Sequence, residues 1–205
     1  MALRVYGDSV SGNCLKVKWI LDRLKVAYDW IETDVTTGAT RTPEFLAMNP
    51  AGQVPLVVLE DGRGLAQSNA ILLYFAEDTE LTPIDAYQRG KMYEWMFWEQ
   101  YSHEPYIAVR RFHLHYLGKS PEDLDPRLFE RGSAALQRME AALQPSDAFP
   151  ESGPEWLVGD RISLADIALV AYTRVAHQGG FDLSFYPAVT AWVARVEDEL
   201  GIGRP

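Results

Sequence analysis

The hydrophobic pattern changes rhythm once along the chain. Through residue 79, short apolar runs alternate with short stretches of helical spacing, the pattern of a small α/β domain. Residues 3–6 read as a strand. Residues 14–24 put Val17, Ile20, Leu21 and Leu24 on one helical face, and residues 26–32 return to extended character, so the chain opens with a βαβ unit. Thr42 as a cap and Pro43 at the first helical position start a short helix that stops at Asn49-Pro50. Residues 54–59, the turn Glu60-Asp61-Gly62 and a short strand at 64–66 make a hairpin, after which Ser68 caps a helix to about residue 78. From residue 85 onward no strand pattern survives. Helical spacing covers 86–117, 126–143, 164–176 and 187–200, separated by segments rich in Gly, Pro and Asp. Ser163 with Asp166 reads as a capping box opening the third of these helices. The expected fold is α+β, an α/β domain at 1–79 and an all-α domain at 86–205, with a linker around Pro83.

Composition narrows what such a fold can do. With 47% hydrophobic and 23% charged residues among 205, the chain can bury a sizeable core. Its 19 basic and 29 acidic side chains give a net charge of -10, which argues against nucleic acid or an anionic membrane surface as partner. An anionic ligand must then be held by local features. The single cysteine, Cys14, excludes an internal disulfide and a CxxC pair and fits a reducing, cytoplasmic setting. The first residues lack a basic start followed by an apolar run, and no apolar stretch reaches the roughly 18 residues of a membrane span. The histidines have no metal-ligand spacing, so no metal is expected.

Two segments carry candidate chemistry. In Asn49-Pro50-Ala51-Gly52-Gln53-Val54-Pro55, a proline stands one residue into an apolar strand start, where it marks an edge, a bulge or a cis bond. A cis bond there would turn the Val54 backbone outward, able to pair with an extended peptide. In Gln67-Ser68, an amide and a hydroxyl stand at a helix start, where N–H groups and the dipole favour a carboxylate. Taken alone, Ser68 is better read as a plain N-cap.

Together, and with the Thr42-Pro43-Glu44-Phe45-Leu46 helix start and the helical second half, these motifs resemble the glutathione transferase family over nearly the whole chain. The resemblance implies a thioredoxin-like N-terminal domain and an all-α acceptor-site domain. It implies that Val54, before a cis Pro55, binds the cysteinyl backbone of glutathione, and that Gln67 and Ser68 hold its γ-glutamyl group. Gln67 replaces the glutamate more often found there. Arg41 and Gln53 stand where related classes place residues against the glycine carboxylate.

The thiol activator falls in Ser9-Val10-Ser11-Gly12-Asn13-Cys14-Leu15-Lys16-Val17. A free thiol with a pKa near 8.5 needs a drop of about 2, roughly 2.7 kcal/mol, to be mostly ionised at neutral pH. Anchored on Lys16-Val17, Ser11 falls where phi, theta-like and zeta-like classes carry a catalytic serine. The same register sets Ser11-Gly12-Asn13 against the Thr-Pro-Asn of the nu-like class and makes Asn13 a second candidate. Helix capping is the alternative for both. Cys14, three residues on, reads as a small buried hydrophobe. In the helical half most of the aromatic run at 95–106 is core, and Tyr101, Tyr106 and Arg110 are the candidate acceptor-site lining.

The resemblance therefore implies a cytoplasmic, homodimeric detoxification enzyme with no permanent cofactor, which uses glutathione as co-substrate against a small hydrophobic electrophile. Two alternatives stand beside it: a glutathione-dependent disulfide or peroxide reductase, and a non-catalytic glutathione-binding or structural member of the fold.

Overall fold

The computed structural model describes residues 2–146 and 153–204, and the chain divides into two compact units, Met1–Thr79 and Glu80–Pro205. The first contains β1 (Arg4–Gly7), α1 (Gly12–Arg23), β2 (Asp29–Glu32), α2 (Pro43–Met48), β3 (Leu56–Val58), β4 (Gly64–Ala66) and α3 (Ser68–Ala76). Its strands form one sheet in the order β2-β1-β3-β4. β1 and β2 run parallel, as a βαβ crossover requires, while β3 lies antiparallel to both β1 and β4.

Alternation along β3 builds two apolar faces. Leu56 and Val58 pack with Phe45 of α2, which leaves Val57 and its register partner Val5 for the opposite face. All three residues of β3 are buried. α1 packs on α3, and Val17, Ile20, Leu21, Ile71 and Leu72 are all fully buried. At α2 the expected start is present: Thr42 accepts from Phe45 N at 3.2 Å and Pro43 follows it.

The second unit is helical: α4 (Ala86–Trp98), α5 (Glu104–Arg111), α6 (Pro126–Leu143), α7 (Leu164–Thr173) and α8 (Pro187–Leu200). Apolar spacing predicts one helix over 86–117. Instead, π-helical turns at Glu99–His103 and Phe112–Tyr116 flank α5. Pro105 accounts for the first, because it has no N–H for the carbonyl four residues back and its ring collides with that carbonyl. Widening the turn before it keeps the rod continuous.

Every residue of α7 is buried, so this helix is enclosed on all sides and forms the axis of the unit, with α4, α5 and α8 packed against it. The expected capping box is present at its start. Asp166 accepts from Ser163 N (2.9 Å), Ser163 Oγ (2.9 Å), Leu157 N (3.0 Å) and Trp192 Nε1 (2.8 Å), tying α7 to the preceding loop and to α8. Burial pushes its carboxyl up from the usual range, and these four donors oppose the shift. Glu140 of α6 does similar work for α8, accepting from Val189 N at 2.9 Å and Ala188 N at 3.2 Å.

Candidate functional site

The sheet register collects the sequence-predicted residues of the first unit at one edge. Leu56 opens β3 opposite both Tyr6 and Ala66. Extending either ladder by one residue sets Pro55 between the end of β1 and Gln67. α1 follows β1 and α3 follows β4, so both helices begin at this edge too.

Val54-Pro55 is a cis peptide, which selects one of the three readings open for that proline. Val54 packs on the Phe45, Leu56 and Val58 cluster, so its side chain faces inward. The preceding loop is braced by a residue that sequence reasoning passed over. Asn49 is buried, donates from Nδ2 to Gln53 O at 2.7 Å and accepts at Oδ1 from Ala51 N at 3.3 Å. Gly52 is the second such residue. It has a φ of +62, and a Cβ there would lie 2.4 Å from Arg41 Nη1. The guanidinium of exposed Arg41 therefore rests against the chain one residue before Gln53. The Asn-Pro-Ala-Gly run signals a turn in the sequence, but not that its glycine makes room for a cation.

At α3 the structure corrects the expected cap. Gln67, not Ser68, occupies the N-cap position, with a φ of 71 and a ψ of 113 and no side-chain cap hydrogen bond. Such a conformation costs a non-glycine residue about 1–3 kcal/mol, and strain of this kind gathers at ligand sites. Ser68 is the first helical residue. Its buried hydroxyl crosses the unit and donates to Asn13 Oδ1 at 3.0 Å.

At α1, Ser11 occupies the N-cap position, but its side chain does not cap the helix. It lies instead near enough to the thiol of Cys14 to favour its charged form. Cys14 is fully buried, and burial pushes the thiol up to about 11, against the Asp8 backbone and Ser11, which favour the thiolate. It is a buried hydrophobe, protonated at neutral pH. Asn13 is half-buried, and its Oδ1 accepts both Ser68 Oγ and Lys16 Nζ, the latter at 2.8 Å. The loop into α1 is held by buried Asp8, which accepts from Val10 N at 3.0 Å and Val35 N at 3.2 Å. Asp8 carries no motif, and Lys16 serves in the sequence only to anchor the register of α1, with nothing there to assign it a contact in the site.

The residues considered in the helical unit separate. Tyr101 is 83% exposed. Tyr106 is half-buried, with Arg131 Cζ 5.9 Å from its ring centroid. Arg110 is buried, donates to Gly179 O at 2.8 Å and lies 5.0 Å from the Phe129 ring, all packing contacts of this unit. Arg174 likewise pairs with Glu197 at 2.7 Å and donates to Gly203 O. Among the described residues, no group of three His, Cys, Asp or Glu side chains could hold a metal ion, and no helix is long and apolar enough to cross a membrane.

A thioredoxin-like sheet domain with a cis-proline edge, followed by a helical domain, defines a known architecture. Residues 10–78 match the family model for the glutathione S-transferase N-terminal domain and residues 95–199 that for the C-terminal domain. The chain belongs to the glutathione S-transferase family. It is similar to the glutathione S-transferase of Xanthobacter autotrophicus Py2, at 45% identity and a TM-score of 0.89 over 98% of this chain and 96% of that one. It is also similar to the disulfide-bond oxidoreductase YfcG of Escherichia coli K12, at 29% identity over 199 residues, covering 94% of this chain and 89% of that protein. A third likeness is to Ure2p in complex with S-hexylglutathione, at 25% identity and a TM-score of 0.83 over 96% and 94% of the two chains.

Proposed function

We propose that this chain is a glutathione transferase that ionises the thiol of glutathione for attack on a small electrophile. The observation that carries this reading is the joining of the two ends of the candidate site by the Ser68 to Asn13 hydrogen bond beside the cis Val54-Pro55 edge. Glutathione lies extended along Gln53 and Val54, pairing with the Val54 backbone. Its γ-glutamyl group meets Gln67, Ser68 and the N-terminus of α3, where helix N–H groups favour a carboxylate. Its glycine carboxylate meets Arg41. The sulfur then falls at the start of α1, where Ser11 and Asn13 supply hydrogen bonds and the helix dipole adds a favourable field.

In the reaction the thiol proton leaves to solvent, the sulfur forms a bond to an electrophilic carbon, and the leaving group departs with its electron pair. Tyr101 and Tyr106 are the acceptor-contacting residues of the helical unit; the packing contacts of Arg110 account for that residue. The enzyme works in the cytoplasm as a homodimer in detoxification.

Titration of bound glutathione by thiolate absorbance tests the reading. A pKa well below 8.5 is expected, rising in Ser11→Ala and Asn13→Ala. A bound thiol that titrates like the free one in the wild type removes activation from this site.

Similarity to a disulfide-bond oxidoreductase favours a second reading. Here the thiolate attacks a small disulfide, one thiol leaves, and a second glutathione resolves the mixed disulfide to give oxidised glutathione. The ratio of turnover on a small disulfide to turnover on a chlorinated aromatic separates the two readings.

A further inference from the structure

Lys16 is fully buried in the first turns of α1, and thiol activation as described makes no use of it. Lysine is rarely buried whole, because its head must be taken out of water. A methionine would fill the same space without that cost, so packing alone does not explain the choice. The Nζ lies 2.8 Å from Asn13 Oδ1. A lysine head donates and does not accept, so this contact can only be made by the carbonyl end of the Asn13 amide. Ser68 Oγ, at 3.0 Å, takes the second lone pair of the same oxygen. Both acceptor sites are thus filled, and the amide has a single orientation. With the Ser68 hydrogen directed at Asn13, its oxygen is left to accept from the ammonium of the γ-glutamyl group, while the carboxylate of that group meets the N–H groups of α3.

We infer that Lys16 is a positioning residue for thiol activation: by holding the Asn13 carbonyl it directs the amide N–H end at the glutathione sulfur. The inference rests on the proposed placement of the sulfur at the start of α1. Without the Lys16 head, one of the two donors that fix the Asn13 carbonyl is lost, so the flipped amide, which meets Ser68 with its NH₂ and the thiolate with its carbonyl oxygen, can compete. A hydrogen bond that favoured the charged sulfur is then replaced by repulsion.

The experiment is a titration of bound glutathione in wild type, Lys16→Met, Lys16→Gln, Asn13→Ala and the Lys16→Met/Asn13→Ala double variant. Lys16→Met is expected to raise the thiol pKa by about 1, a tenfold loss of thiolate well below that pKa, with KM for glutathione changed less than about threefold. Lys16→Gln, whose amide can still donate to Asn13, is expected to shift it less. In the Asn13→Ala background, Lys16→Met should add nothing. An unchanged pKa in Lys16→Met, or an equal rise in both backgrounds, overturns the inference. An unchanged pKa in Asn13→Ala instead overturns the underlying assignment of Asn13. Should the Lys16 variants not fold, nitrogen NMR of the Asn13 amide in the wild type decides the question. Its NH₂ signals must move on binding glutathione and respond differently to S-methylglutathione, and identical responses sink the proposal.

Discussion

Two buried polar clusters in this protein use the same parts, a serine and an acid or amide at a helix start, and differ in where their hydrogen bonds end. At α7, Asp166 accepts four hydrogen bonds, and all four donors belong to the same helical unit. At α1 and α3, Lys16 and Ser68 both donate to half-buried Asn13, and exposed Gln67 stands at the N-cap next to Ser68. The first cluster is closed and spends its donors on the fold. The second opens on solvent and keeps a strained residue at its rim. A closed cluster is expected to govern stability and leave chemistry untouched, and an open one the reverse.

The largest effect expected is on the closed side. Asp166→Ala leaves four donors without this acceptor, three of them in buried hydrogen bonds, and hydrogen bonds to charged groups are worth about 1.5–3 kcal/mol each. A loss of about 4 kcal/mol is expected in urea unfolding, near the top of the range for single substitutions. The fraction that folds should bind glutathione with an unaltered thiol pKa. A shifted pKa would show that the closed cluster reaches the site and would break the comparison.

Cys14 lies next to the open cluster and behaves as part of the core, and pH separates these roles. Its pKa rises from 9.0 to about 11 on folding. Between those values the unfolded chain has released the proton while the folded chain retains it, so the unfolded state binds fewer protons. Stability from this group is therefore intact below pH 9 and declines as pH rises to 11, by roughly 2–3 kcal/mol in all. Urea unfolding across this range should show the decline in wild type and less of it in Cys14→Ala. At pH 7.5 iodoacetamide should leave Cys14 unmodified in the folded protein, and rapid alkylation there would place the thiol among the reactive groups instead.

Arg41 tests the open side. If Arg41 holds the glycine carboxylate as proposed, Arg41→Ala should raise KM for glutathione about tenfold, or about 1.4 kcal/mol, while stability changes by less than about 0.5 kcal/mol. Gly52→Ala should act in the same direction, because its Cβ would displace the Arg41 guanidinium, and should also cost about 1 kcal/mol for a left-handed backbone. If Arg41→Ala leaves KM where it was, the carboxylate is held elsewhere.

Legibility in the sequence follows the same division. Features written in local chemistry were readable: the Thr42-Pro43 helix start, the short hairpin, the Ser163-Asp166 capping box, and the bounds of α6 and α8. Pro55 was readable as unusual, though edge, bulge and cis bond could not be separated without its neighbours. The misses came from long-range geometry. Ser68 looks like a cap from sequence because the φ of Gln67 is fixed by the β4 to α3 junction and not by propensity. Lys16 stands among apolar helical positions with nothing to show that its head meets Asn13 one turn away. Asn49 and Gly52 read as turn formers, and only the folded loop shows what they brace. Pro105 was visible, but a kink or break was as consistent with it as a π-helical turn.

Gln67 provides the smallest and sharpest test, since at this one residue the two kinds of cluster make opposite forecasts. If its φ of 71 is strain held for the ligand, glycine should relieve it. The relief is partly offset by the greater freedom of glycine in the unfolded chain, so Gln67→Gly should be more stable by only about 0.5–1 kcal/mol. It should also raise KM for glutathione severalfold, because the side-chain amide proposed to meet the γ-glutamyl group is gone. Stability and binding would then move in opposite directions, as they cannot at Asp166. Thermal unfolding beside glutathione kinetics on the same preparation decides it. A Gln67→Gly protein that is less stable with an unchanged KM would mean that Gln67 is held by packing, and that the rim of the open cluster is built like the closed one.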